Sequence, residues 1–184
     1  MKHETILIGR NYGYPKNNAL LDKVLQRIDE PYTLCLEYPD IYTERFKNED
    51  WEPIRKELEQ QGAHATEEFF SLIKTYSNAN RIRCIDLSNI PDDVEDIQNY
   101  REHVMAKNIE DVEGNVVALV GALHACKDIV NFSDFDFSDQ DVEKDSIPTG
   151  EEIKPVAYRL DNAYSIIVGN NHYDLPYDEH IKQL

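Results

Sequence analysis

The run Asn115-Val116-Val117-Ala118-Leu119-Val120 is the most hydrophobic stretch of the chain, and Gly121-Ala122-Leu123-His124 closes it. An uninterrupted β-branched run of this length reads as a strand buried on both faces, the kind found inside a parallel sheet. In open α/β sheets ligands bind outside the carboxyl ends of the strands. A strand that runs into Gly-Ala-Leu-His therefore delivers the His124 imidazole to the edge where chemistry is expected.

The remaining elements fall into an alternating order. Residues 4–8 form a short strand, followed by a loop bracketed by Gly9 and Gly13. Leu20, Leu21, Val24, Leu25 and Ile28 have helical spacing within 17–28. Strand two covers 33–38 and stops at Pro39. Residues 49–60 and 65–76 are amphipathic and are separated by Gly62. Strand three covers 81–87. Pro91-Asp92-Asp93 predicts the start of a long helix, with proline near its first position and acids in its first turn; Gly114 suits its C-terminal cap. Strand four is 115–120, and a helix is expected from Ala125. Finally, 155–160 and 164–169 flank Asp161-Asn162-Ala163, which reads as a β-hairpin. This order predicts one α/β domain over 1–184, with a mostly parallel sheet flanked by helices and a C-terminal antiparallel hairpin.

Composition narrows the function classes. The 36 acidic against 19 basic residues give a formal charge of −17, which repels nucleic acid and anionic membranes. No apolar run approaches the roughly 20 residues that span a bilayer, and no signal-peptide core is present, so a cytoplasmic location is expected. Cys35, Cys84 and Cys126 contain no CxxC pair and read as buried thiols of a reducing compartment. A reactive Cys126 is the lesser alternative. Residues 134–150 read as a solvated acidic loop. Its Asp134, Asp136 and Asp139 lack the glycine and terminal glutamate of a calcium loop.

The candidate chemistry lies at strand ends. Tyr12 follows strand one, Glu37 ends strand two, Asp86 lies near the end of strand three and His124 follows strand four. In a parallel sheet all four meet at one edge. A carboxylate beside an imidazole is the minimal kit for activating water or a hydroxyl. Arg101 lies on the apolar stripe of the long helix, and so does Asn108; a guanidinium there requires a carboxylate or an anionic ligand, with Asp86 or Glu37 in reach. Each residue also has a structural reading: Glu37 as a solvated strand-end acid, Arg101 as half of a structural pair, His124 as a helix cap. His172 is a reserve candidate, while His3, His64, His103 and His180 have no comparable setting. No P-loop, GxGxxG, GxSxG or structural zinc pattern occurs.

Five motifs recur in order: Ile8-Gly9-x-x-x-Gly13, Leu34-x-Leu36-Glu37-Tyr38-Pro39, Cys84-Ile85-Asp86-Leu87, Arg101-x-x-x-Met105-Ala106-x-x-Ile109 and Val120-Gly121-Ala122-Leu123-His124. Together they resemble the erythromycin esterase-like/ChaN-like superfamily, which includes the TraB and Tiki-type proteins. The resemblance covers about residues 5–130. It implies an esterase, a metal-dependent protease or a haem-binding protein, with Glu37, Arg101 and His124 at the family's site positions. The first motif departs from the pattern: Arg10 stands where glutamate is usual and Tyr12 where histidine is usual.

Three readings follow. In a hydrolase-like enzyme His124 is the acid or base, Glu37 orients it, Arg101 binds an anion or oxyanion and Tyr12 donates a proton, with Arg10, Asn11 and Asp86 contacting substrate. In an inactive relative the same cleft binds a small molecule or a protein. The third reading is metal or haem ligation through His124 with Tyr12, Glu37 or His172. No cofactor is specified by the sequence, and neither is an oligomeric state.

Overall fold

The computed structural model describes residues 4–11, 16–48, 51–78, 80–131, 152–171 and 174–183. Its main sheet has six strands, all parallel: β1 (Thr5–Arg10), β2 (Thr33–Pro39), β3 (Arg81–Asp86), β4 (Val116–Gly121), β7 (Ala163–Val168) and β8 (Glu179–Ile181), in the order β3-β2-β4-β1-β7-β8. A separate antiparallel pair joins β5 (Val130–Asn131) to β6 (Glu152–Ile153). The α/β architecture expected from the alternating pattern is thus present.

The sheet is covered on both faces, which is why its central strands carry no polar alternation. Val117 and Leu119 face one core, together with α1 (Lys16–Leu25), α3 (Trp51–Gln60) and α4 (Glu67–Ser77). Val116, Ala118 and Val120 face the other, together with α5 (Ile97–Glu110) and the single turn α6 (Val156–Arg159). Among the described residues no helix is long and apolar enough to cross a membrane.

Three local expectations are corrected. The residues 155–160 and 164–169 do not form a hairpin. Val156–Arg159 is a helical turn whose Val156 and Ala157 enter the second core, and β7 lies parallel to β1 inside the sheet. The continuous apolar run Ile166-Ile167-Val168 suits a strand buried on both faces better than an edge hairpin. The long helix begins at Ile97 rather than at Pro91. Asp96 caps it by accepting the Asn99 N–H at 3.0 Å, and residues 91–94 form a single turn closed by the Val94 N–H on the Pro91 carbonyl. No helix follows β4: Ala122–Ala125 make one 3-10 turn, and Cys126 is already extended. A short helix α2 (Thr43–Lys47) and strand β8 were not anticipated.

Strands β1 and β4 are neighbours whose outgoing connections part. The chain leaves β1 toward β2 and leaves β4 toward β7 on the opposite side. Such a switch point opens a crevice beyond the carboxyl ends of the strands. The turn after β4 closes over β1 at Gly9, where a Cβ would stand 2.8 Å from the Ala125 Cβ and 3.1 Å from the Ala122 Cα. Alanine in place of a strand glycine ordinarily gains about 0.5–1 kcal/mol. Here the overlap with backbone reverses the sign, and Gly9→Ala is expected to destabilise the fold by roughly 1–3 kcal/mol. Urea unfolding measures this, and unchanged or increased stability would show that the close approach is absent.

Candidate functional site

Four of the residues singled out in the sequence meet at the carboxyl edge of the sheet. Arg101, from the second turn of α5, holds Asp86 with Nε at 2.8 and 3.0 Å from its two carboxylate oxygens and Nη2 at 2.5 Å from Oδ2. The same Nη2 donates to Glu37 Oε1 at 2.7 Å. Glu37 Oε1 also lies 3.0 Å from His124 Nε2, and its Oε2 accepts the Gly121 N–H at 2.6 Å. Arg101 therefore pairs with both carboxylates that the sequence offered. Asn108 donates to the Ile85 carbonyl at 2.8 Å and anchors α5 to β3.

One member of this chain of charges was missed. Glu102 is fully buried, and its Oε1 lies 2.7 Å from His124 Nδ1. Its Oε2 accepts the Val156 N–H at 3.0 Å, and Gln98 donates to Oε1 at 2.6 Å. The signal was present in the spacing: Glu102, Met105, Ala106 and Ile109 form the buried face of α5. Ile97, the apolar first residue of the same helix, is exposed instead.

Both ring nitrogens of His124 thus face carboxylates. Burial works against a charge on His124, but Glu37 and then Glu102 outweigh it and push the imidazole up to about 10. For Glu37, burial raises the carboxyl. The charge and hydrogen bond of His124, with Arg101 and the Gly121 amide, more than offset that and hold it far below the usual carboxylate range. The result is a triad, an imidazolium between two carboxylates. With both N–H groups donated, His124 has no lone pair with which to accept a substrate proton near neutral pH.

Beside this network lies a cavity of about 300 Å³, lined by Arg10, Glu37, Asp86, Arg101, His64 and Phe69 among others. Arg10, the last residue of β1, is buried, with its guanidinium carbon 3.4 Å from the centre of the Phe69 ring. His64 belongs to the loop between α3 and α4, which two contacts fix. Tyr38 Oη donates to the His64 carbonyl at 2.9 Å, and the buried Arg55 reaches Glu52, Glu59 and the Ala65 carbonyl. Partial burial, then the charge of Arg10, lowers the His64 imidazole below its ordinary value despite the opposing pull of Glu37. His64 is therefore the neutral histidine of the pocket, a role that its sequence setting after Gly62-Ala63 did not signal.

Asn11 lies near the site periphery, donating to the Asn170 carbonyl, while its own carbonyl accepts from Asn17 at 3.0 Å. Tyr12, His172 and the acidic loop of 134–150 fall outside the described residues, apart from the loop's surroundings at Asn131 and Glu152. All three cysteines are buried free thiols, and burial raises each of them, so neither Cys126 nor the others are activated. Among the described residues no group of three or more histidine, cysteine, aspartate or glutamate side chains is arranged to hold a metal ion. No protein-family model, curated protein or solved structure matches this chain.

The network sets a pH dependence of stability. The native imidazole of His124 keeps its proton to about 10, whereas an unfolded histidine loses it near 6.5. Its contribution is complete below pH 6.5 and is lost as pH rises toward 10, with a slope of up to roughly 1.4 kcal/mol per pH unit. Glu37 acts in the opposite sense: its contribution is present above the unfolded carboxylate value and is lost as pH falls. Urea midpoints of the wild type should therefore fall between pH 7 and 9.5, and His124→Asn should flatten that fall. A level wild-type profile over this range would show that His124 is not held as an imidazolium.

Proposed function

We infer that the chain binds a small polar molecule with an anionic or carbonyl-oxygen group in the pocket at the carboxyl edge of the sheet. The observation that carries this reading is the division of labour within the site. Glu37 and Asp86 are already engaged by Arg101 and His124, while two guanidiniums from separate elements, Arg10 and Arg101, line one cavity of about 300 Å³. Arg101 uses Nε and Nη2 on its carboxylates, and its Nη1 makes no hydrogen bond among the described residues. A planar donor fixed in this way is pre-organised for an oxygen ligand. The size limits the ligand to a small molecule, at the lower end of typical pockets. The buried free thiols suit a reducing compartment, and we place the protein in the cytoplasm on that ground.

Binding is expected to shift the amide signals of Ala63, His64 and Asp86 when a panel of small carboxylates and phosphates is titrated into the labelled protein. Arg101→Lys, which loses the planar two-point grip, should weaken the best binder at least tenfold. Shifts confined to other regions, or affinity unchanged in Arg101→Lys, would overturn the assignment.

A second reading, a hydrolase-like enzyme related to the esterase superfamily that the motifs resemble, is supported by the neutral His64. The base in that case is His64 rather than His124, and Arg101 faces the developing oxyanion. Turnover of a panel of small esters should then be lost in His64→Ala at unchanged thermal midpoint, with kcat/KM rising through a single pKa below 6.5. Turnover indifferent to His64→Ala would remove this mechanism.

A further inference from the structure

A cavity of about 1000 Å³ lies away from this site, along the outer edge of β3. That strand ends the sheet, with β2 on one side only. Its carboxyl half is already covered. Thr43 Oγ1 accepts the Cys84 N–H at 2.9 Å, so Cys84 turns its backbone outward, and the Ile41 N–H reaches Ser88 across the same edge at 3.3 Å. Successive residues of a strand turn their backbone groups to alternate sides, so Ile82, two residues earlier, also presents its N–H and C=O outward, into the groove.

The two walls of the groove differ in chemistry. On the α4 side stand Ile82, Phe46 and Trp51, with Lys74 Nζ 6.0 Å from the Trp51 ring. On the α5 side stand Arg81 and Arg83; the latter pairs in register with Cys35 of the second core. Neither arginine side chain forms an ion pair or a hydrogen bond among the described residues, although Asp111 and Glu113 also line that end. Two unpaired arginines and a lysine gathered at one sheet edge stand out in a chain of net charge −17.

We propose that this edge takes up an extended acidic peptide segment of a partner protein as an added strand. Its backbone pairs with Ile82. Alternate side chains then fall to opposite walls, so the segment carries aspartate or glutamate toward Arg81 and Arg83 and apolar residues toward Ile82, Phe46 and Trp51. Charge complementarity also selects against a second copy of this chain, because pairing two β3 edges would bring the same arginines together.

The test uses a heptapeptide of alternating aspartate and valine, with the corresponding lysine–valine peptide as control, titrated into the labelled full chain. Saturable binding of the acidic peptide alone is expected, with the largest amide shifts at Ile82 and its neighbours. Binding should weaken at least tenfold in R81E/R83E and also in R81E, whose site is exposed, at unchanged thermal midpoint. A peptide N-methylated along its pairing edge should lose binding. Absent binding, equal binding of both peptides, shifts away from β3, or full competition by equimolar inorganic phosphate would each overturn the proposal. Concentration-dependent dimerisation lost in R81E would make a second copy the occupant and overturn it too.

Discussion

The site rests on the burial of one carboxylate. Glu37 lies near the end of the second strand with its side chain 9% exposed and meets a guanidinium, an imidazolium and a backbone N–H. Removing a carboxylate from water costs several kcal/mol even after relaxation, so it survives as a charge only where donors are already in place. Arg101 comes from α5, while the Gly121 amide and His124 come from the end of β4 and the turn directly after it, and Glu37 itself lies on β2. Meeting the demand of Glu37 therefore aligns three segments far apart in sequence. The charges propagate outward, Arg101 to Asp86 and His124 to Glu102, until the last carboxylate ends on the Val156 N–H of α6. The network is better viewed as a clamp on the carboxyl edge than as a source of net stability. Its Coulomb gains largely offset desolvation, and loss of any one member leaves its neighbours charged and unpaired.

That clamp separates two histidines by function. His124 lies inside it, with both nitrogens donated, and is held charged. His64 lies outside, on a loop carried by α3 and α4, and is held neutral by partial burial and the nearby Arg10. Environments that push like groups apart in pKa are how one site assigns different roles to them. Of the side chains that line the pocket, Arg101 is held from behind by this row of charged groups, Arg10 lies against the Phe69 ring and His64 sits on a loop fixed by Tyr38. Such support gives a binding or reacting surface its geometry before anything arrives.

Much of this arrangement is legible in the sequence. The uninterrupted run of β4 marked the sheet centre because a strand covered on both faces needs no polar alternation. Polar residues at strand ends, Glu37, Asp86 and His124, converged because parallel strands share a carboxyl edge. Arg101 announced a carboxylate partner because a guanidinium does not face a core alone. Glu102 was harder. A glutamate on a mixed helix face is normally solvated, and only the partner in space reveals that it is buried. His64 was invisible for the opposite reason, since its role depends on a loop held by Tyr38 and Arg55 rather than on any local pattern. The misplaced hairpin at 155–169 shows the limit of turn chemistry. Asp161-Asn162 does mark a turn, but sheet burial decides whether the strand after it pairs backwards or inserts in parallel. The start of α5 shows competition among signals: Pro91 and its acids suit a helix start, yet Asp96 supplies the side chain that accepts the Asn99 amide.

The surface charge gives these cationic spots their meaning. A chain at −17 repels anions over the range of its summed field, but at physiological ionic strength that field decays over about 8 Å. Within this distance recognition is decided by the local groups. For the proposed ligands, arginines collected at the carboxyl edge and along β3 would therefore act only at contact, after the general repulsion has been screened. Selection then depends on the placement of donors rather than on attraction from afar, which favours partners whose oxygens match a fixed fork over anions in general.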